Sequence, residues 1–207
     1  SMPMRSNRPL AVVPVLIVED AKTAVPLARA LVAGGLKAIE ITLRTDAALE
    51  AVRLVAQEVE GAVVGAGTIL NAAHYAAAVD AGSQFIVSPG TTQELLDVAR
   101  QSDIPLLPGA ATASEVMALR EEGYKVLKFF PAVQAGGAAY LKALSSPLAG
   151  TLFCPTGGIS LKNAMDYLSL PNVVCVGGSW VAPKELIEAG DWAGITKLAS
   201  EAFALKA

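Results

Sequence analysis

Short apolar runs recur along the chain with a regularity that points to an architecture. They are VVPVLIV (12 to 18), AIEITL (38 to 43), AVVGAGT (62 to 68), QFIVSPG (84 to 90), IPLLPGA (104 to 110), VLKFFPA (126 to 132), TLFCPTGG (151 to 158) and NVVCVGGSW (172 to 180). Near-continuous runs, rather than alternating ones, suit strands buried on both faces, as in a parallel sheet. Between them lie amphipathic stretches rich in Ala and Leu. AVPLARALVAGG (24 to 35) ends on Gly34 and Gly35, TQELLDVARQS (92 to 102) opens at Thr92 with Glu94 close behind, and TASEVMALREEG (112 to 123) offers Thr112 or Ser114 before Gly123 stops it. A hydroxyl at the start and a glycine at the end mark helix termini.

Eight strand-and-helix units predict an α/β fold in which residues 12–207 form one (β/α)8 TIM barrel domain. The alternative is an open, doubly wound sheet. No G-x-G-x-x-G/A turn follows the first strand, and VEDAKTAV contains no glycine, which weakens a dinucleotide-binding reading. Residues 1–11 read as a tag-removal scar, Ser1-Met2, and a short leader without the apolar segment of a secretory signal.

Composition narrows the partners. Of the 207 residues 53% are hydrophobic, yet the apolar runs are broken by Gly, Pro or charge well short of a membrane span, so a soluble, cytoplasmic protein is expected. A net charge of -3 with scattered basic residues disfavours nucleic acid and leaves a small-molecule ligand. Cys154 and Cys175 sit in strand-like runs without CxxC spacing, as reduced core thiols. The one histidine, His74, lies on a predicted helix with no second His, so no metal is expected.

Polar residues inside the strands carry the chemistry. Lys128 interrupts the apolar YKVLKFFPA, and lysine is rarely buried without a reason. Strand parity places Val126, Lys128 and Phe130 on one face, and Glu40, Thr42 and Arg44 on one face of AIEITLRT. If both faces point inward, an acid, an amine and a guanidinium converge in one apolar cylinder, and barrels place their active sites at its C-terminal end. A structural ion pair between Glu40 and Lys128 is the bland reading, but such pairs gain little over an apolar filling. The functional reading is a desolvated, neutral amine that attacks a carbonyl carbon. Lys125, three residues earlier, falls on the opposite, solvated side.

GAGT (65 to 68) brings Thr68 beside Arg44, a pairing suited to a carboxylate. TGG (156 to 158) and GGS (177 to 179) close the last two runs, where exposed backbone N–H groups hold phosphate; ordinary tight turns are the alternative. The pocket thus asks for a small 2-oxo acid with a distal phosphate.

EITLRT, GAGT, SPG, PLLPGA, KFFPA, FCPTGGIS and GGSW occur in that order, and with them the chain resembles the class I 2-keto-3-deoxy-6-phosphogluconate (KDPG) aldolases, which also act on 4-hydroxy-2-oxoglutarate (KHG). The resemblance implies Lys128 as the Schiff-base residue and Glu40 as general acid/base. It implies Arg44 and Thr68 at the substrate carboxylate, and Pro89, Phe130 and Thr156 in the pocket. Gly157, Gly158, Gly178 and Ser179 would cradle phosphate. It further implies a homotrimer that needs no metal or other cofactor, releasing pyruvate from a phosphorylated 2-oxo sugar acid. Family members commonly carry a longer leader helix than SMPMRSNRPLA that plugs the bottom of the barrel, so a shortened plug or another element in its place is expected. Other readings keep the lysine but change the reaction, to oxaloacetate decarboxylation or the galactonate epimer, or remove turnover, leaving a barrel that only binds a phosphorylated metabolite.

Overall fold

A computed structural model describes residues 10–205; the Ser1-Met2 scar and all but the end of the leader lie outside the described residues. Among the described residues there are nine short strands: β1 (Val12–Leu16), β2 (Ala38–Thr42), β3 (Val63–Gly67), β4 (Ile86–Val87), β5 (Leu106–Leu107), β6 (Gly109–Ala110), β7 (Val126–Phe129), β8 (Leu152–Pro155) and β9 (Val176–Gly178). All pairings are parallel. Six strands form one curled sheet in the order β5-β4-β3-β2-β1-β9, and β6-β7-β8 form a second. The last strand therefore pairs with the first, and no reversal of strand order of the doubly wound kind occurs at β1.

Two predicted runs are divided or shortened. IPLLPGA is split at Pro108, which has no N–H to give to the ladder, while its carbonyl still accepts from the Lys128 amide. In NVVCVGGSW only Val176–Gly178 is a strand. In its first part Val173 makes a single bridge to Phe153, and the buried Asn172 amide donates to the Leu141 carbonyl.

Helices cover the outer face of the strands, with boundaries close to those predicted. Ala24–Ala33 stops at Gly34. Thr92 caps Gln93–Arg100 through the Leu95 amide, and Thr112 forms a reciprocal capping box with Glu115 at the start of Ala113–Glu121.

Strand alternation then sorts the core into two layers. Ile39, Ile41, Leu127, Phe129 and Phe153 point outward and pack with Leu27, Leu31, Val52, Leu95 and Leu119 of the helices. Val13, Ala38, Phe85, Val87, Leu107, Cys154 and Cys175 form a separate inner cluster. Both cysteines are free and buried there; a hydrogen bond with Cys154, then desolvation, pushes the Cys175 thiol well above its ordinary range. It is this inner layer that Glu40 and Lys128 enter.

Candidate active site

Register fixes where the two polar strand residues sit. Glu40 on β2 lies between Val15 of β1 and Gly65 of β3, while Lys128 on β7 lies between Gly109 of β6 and Cys154 of β8. Their outward neighbours are the fully buried apolar residues of the outer layer, so parity sends both side chains inward. Both line one small cavity with Val13, Phe85, Val87, Leu107 and Cys154. Its volume is about 10 Å³, close to that of a single water site.

Glu40 is 4% exposed and Lys128 2% exposed. No ion pair within 4.0 Å joins them, and Glu40 Oε2 has no hydrogen-bond partner. The structural ion-pair reading is therefore not what the site contains. Burial pushes the Glu40 carboxyl above its ordinary 4.5, while the charges of Lys128 and Arg44 oppose the rise. The Lys128 ammonium or amine Nζ lies 4.8 Å from the centre of the Phe130 ring, two residues along the same face. Lys125 is exposed, as strand parity predicts.

Above this cavity opens a cleft of about 740 Å³, within the usual range for small-molecule sites. Arg44, Phe130 and Thr156 line it, as do Gly157, Gly158, Gly178 and Ser179. Thr156 and Gly177 line both spaces and so mark where they meet. An isolated bridge pairs these two residues, and a Cβ at 177 would fall 2.5 Å from Thr156 Oγ1. Gly157 and Gly158 have φ of 110° and 75°, which a side chain would resist, and their turn leaves backbone at the cleft surface.

Arg44 departs from the predicted placement inside the apolar cylinder. It follows the end of β2, is exposed, and faces the cleft. Thr42, expected beside Glu40, is wholly buried and donates its hydroxyl to the Leu16 carbonyl of β1; Thr45 likewise donates to Val18. Those bonds pin the turn that carries Arg44. Its Nε donates to Thr68 Oγ1 at 3.0 Å. Thr68 holds φ at 55°, a left-handed conformation uncommon for a β-branched residue and often found where function fixes the backbone. Thr68 and Pro89 line neither space, although Pro89 ends the β4 run and its carbonyl packs against Gly109, the register partner of Lys128.

Sequence reasoning missed Gly67. A Cβ there would stand 1.9 Å from Glu40 Oε2, so the carboxyl occupies space that only glycine leaves open. Its signal was a glycine at an inward position of a strand, next to the Thr68 that was noticed. Also missed were Glu19, Asp20, Lys184 and Glu188 at the cleft rim.

The aldolase family model for KDPG and KHG aldolase matches residues 5–198. The chain belongs to the KDPG and KHG aldolase family. The 2-dehydro-3-deoxy-phosphogluconate aldolase of Pseudoalteromonas atlantica is 51% identical over 193 residues, spanning 93% of this chain and 90% of that protein. The KHG/KDPG aldolase of Escherichia coli K12 is 51% identical over 191 residues, spanning 92% and 90%. Among solved structures, the KDPG aldolase of Legionella pneumophila, with pyruvate captured as a covalent carbinolamine, superposes with a TM-score of 0.91 at 45% identity over 94% of both chains. The Zymomonas mobilis ZM4 aldolase with 3-phosphoglycerate gives 0.90 at 50% identity, covering 96% of this chain and 93% of that one. Among the described residues of this family member, no helix is long and apolar enough to cross a membrane.

Proposed function

We propose that the protein is a class I aldolase that cleaves 2-dehydro-3-deoxy-6-phosphogluconate to pyruvate and glyceraldehyde 3-phosphate, and 4-hydroxy-2-oxoglutarate to pyruvate and glyoxylate, through a Schiff base on Lys128. The observation that carries this reading is the buried pair itself. Lys128 and Glu40 face one cavity without an ion pair, and Glu40 Oε2 is unpartnered. Burial without a direct ion pair is costly and is the arrangement expected of a nucleophile with its proton carrier. Pyruvate held as a carbinolamine by the Legionella pneumophila relative supports the covalent route.

In this reading the Lys128 Nζ lone pair adds to the C2 carbonyl carbon, and Glu40 transfers a proton to the oxygen so that the carbinolamine loses water as an iminium forms. Space for one water between the two side chains suits a relayed transfer. Ionised Glu40 next takes the C4 hydroxyl proton. The C3–C4 bond then breaks, its electron pair enters the iminium to leave an enamine, and the aldehyde departs. Return of the proton to C3 and addition of water to the iminium carbon release pyruvate and the free amine.

The remaining roles follow the cleft. Arg44, held by Thr68, presents its guanidinium fork to the pyruvoyl carboxylate. Phe130 walls the reacting end, Pro89 backs it through Gly109 beside Lys128, and Thr156 lies close to the substrate. The backbone at Gly157, Gly158, Gly178 and Ser179 receives the phosphate, which gains from close approach to glycine.

This reading includes a complete (β/α)8 barrel, with β5 and β6 as one strand interrupted at Pro108 and with bridges from Phe153 to Val173, just before β9, and from Thr156, just after β8, to Gly177 closing the remaining gap. It also includes a cytoplasmic homotrimer. Val133, Leu161 and Met165 expose apolar surface on the connections after β7 and β8 that a subunit contact would cover.

A coupled assay of pyruvate release from the phosphorylated sugar acid tests the proposal. Wild-type protein turns over and Lys128→Met does not; continued turnover by Lys128→Met would overturn it.

A further inference from the structure

Within the cleft that the proposed function assigns to the substrate, the far rim carries more acid than base. Glu19 and Asp20 come from the turn after β1, and Glu188 from the Lys184–Glu188 helix. Among the described residues Lys184 is the only ammonium that lines this cleft, and Arg44 its only guanidinium. Arg44 is already engaged with Thr68. A phosphate approaching Gly178 and Ser179 therefore meets three carboxylates and one loosely paired cation.

Lys184 is held loosely. Its Nζ is 3.7 Å from Glu19 Oε2 and 3.8 Å from Glu188 Oε1, beyond hydrogen-bonding distance in both cases, and its side chain is 65% exposed. Ion pairs this long and this exposed hold a lysine weakly. The lysine also follows Ser179 by five positions, so its four-carbon stem starts beside the turn that closes the cleft.

We propose that Lys184 is a specificity-determining residue that leaves Glu19 and Glu188 to contact the phosphate of the bound substrate, so that the acidic rim is tolerant of a phosphorylated substrate only while this ammonium is present. The proposal rests on the phosphate-cradle reading of the same cleft. In the free protein the two carboxylates keep the ammonium at the rim. With substrate bound, the dianion outcompetes these two solvated carboxylates for it, because at 3.7 and 3.8 Å neither makes a direct hydrogen bond, whereas the phosphate would accept a short, charge-assisted one. Without Lys184, Glu19, Asp20 and Glu188 repel the incoming phosphate at close range.

The test compares kcat/KM for the phosphorylated sugar acid and for its unphosphorylated analogue in wild type, Lys184→Ala, Lys184→Glu and the double variant Glu19→Gln/Glu188→Gln. Lys184→Ala lowers the phosphorylated-to-unphosphorylated ratio about three- to tenfold, mainly through KM, and Lys184→Glu lowers it further. The double variant raises the ratio, and added salt shrinks every difference. Lys37→Ala removes the same charge just before β2, at the opposite end of the strands, and leaves the ratio where it is. A wild-type preference for phosphate that survives both Lys184 substitutions overturns the role of Lys184 while leaving the glycine cradle in place. Equal wild-type values for the two substrates overturn the cradle and Lys184 together.

Discussion

Gly67 and Glu40 occupy space that cannot be shared with one more carbon: a Cβ on residue 67 would lie 1.9 Å from Glu40 Oε2 and 2.6 Å from its carboxyl carbon. Glu40 stands in the middle of β2 and Gly67 ends the neighbouring β3 two register positions further on, so the carboxyl cannot give way without leaving the cavity it shares with Lys128. Gly67→Ala is expected to displace the carboxyl and reduce kcat on the order of 100-fold, as loss of a positioned general base does. The overpacking costs about 1–3 kcal/mol of stability. Steady-state kinetics alongside denaturant unfolding separates the two effects; near-normal kcat in a folded Gly67→Ala protein would show that the carboxyl does not need its present position.

Glu40→Gln should trade activity for stability. The folded protein raises the Glu40 carboxyl above 4.5, so the native state binds this proton more tightly than the unfolded chain does. Stability contributed at this site is thus present below the unfolded value, is lost as pH rises through the folded value, and stays lost at neutral pH. Replacing the acid by the amide removes that penalty. We expect a higher melting temperature for Glu40→Gln near neutrality, a gap that closes below about pH 4.5, and turnover reduced about 100-fold or more. Melting curves across that pH range check the sign; a gap that widens on acidification contradicts it.

Arg44 bears on both the substrate and the Glu40 carboxyl. Its charge is one of the two that oppose the rise in Glu40, so Arg44→Leu lets that rise grow and moves the acidic limb of kcat/KM to higher pH. KM should climb roughly tenfold or more with loss of the carboxylate fork, and Arg44→Lys should restore the limb better than it restores KM. An unchanged limb in Arg44→Leu would remove the electrostatic link.

Thr68 separates strain from binding. Asparagine tolerates a φ of 55° better than a β-branched residue does, so Thr68→Asn should preserve stability or raise it by about 1 kcal/mol. The hydroxyl that orients Arg44 is lost, and KM should rise several-fold at nearly constant kcat. A drop in stability with no change in KM would mean that the residue is structural only.

Much of the fold could be read from the chain because strands buried on two faces must be apolar throughout, and a lysine inside one of them has few explanations. Lys128, Glu40 and the Arg44–Thr68 pair were visible for that reason. Where the sequence misled, a local detail decided the outcome. Pro108 removes one ladder donor, Asn172 satisfies a distant carbonyl at Leu141, and Arg44, beyond the end of β2, faces the open cleft. Gly67 and the rim formed by Glu19 and Lys184 were harder. Their meaning depends on which strands lie side by side, and residues 19 and 184 meet only because the last strand pairs with the first.

Reductive trapping tests the central claim most directly. The protein is incubated with pyruvate and borohydride, digested, and the adduct located by mass spectrometry. A buried amine at the head of the reacting cavity predicts the label on Lys128 and its disappearance in Lys128→Met. A label on exposed Lys125, with Lys128 unmodified, would contradict it.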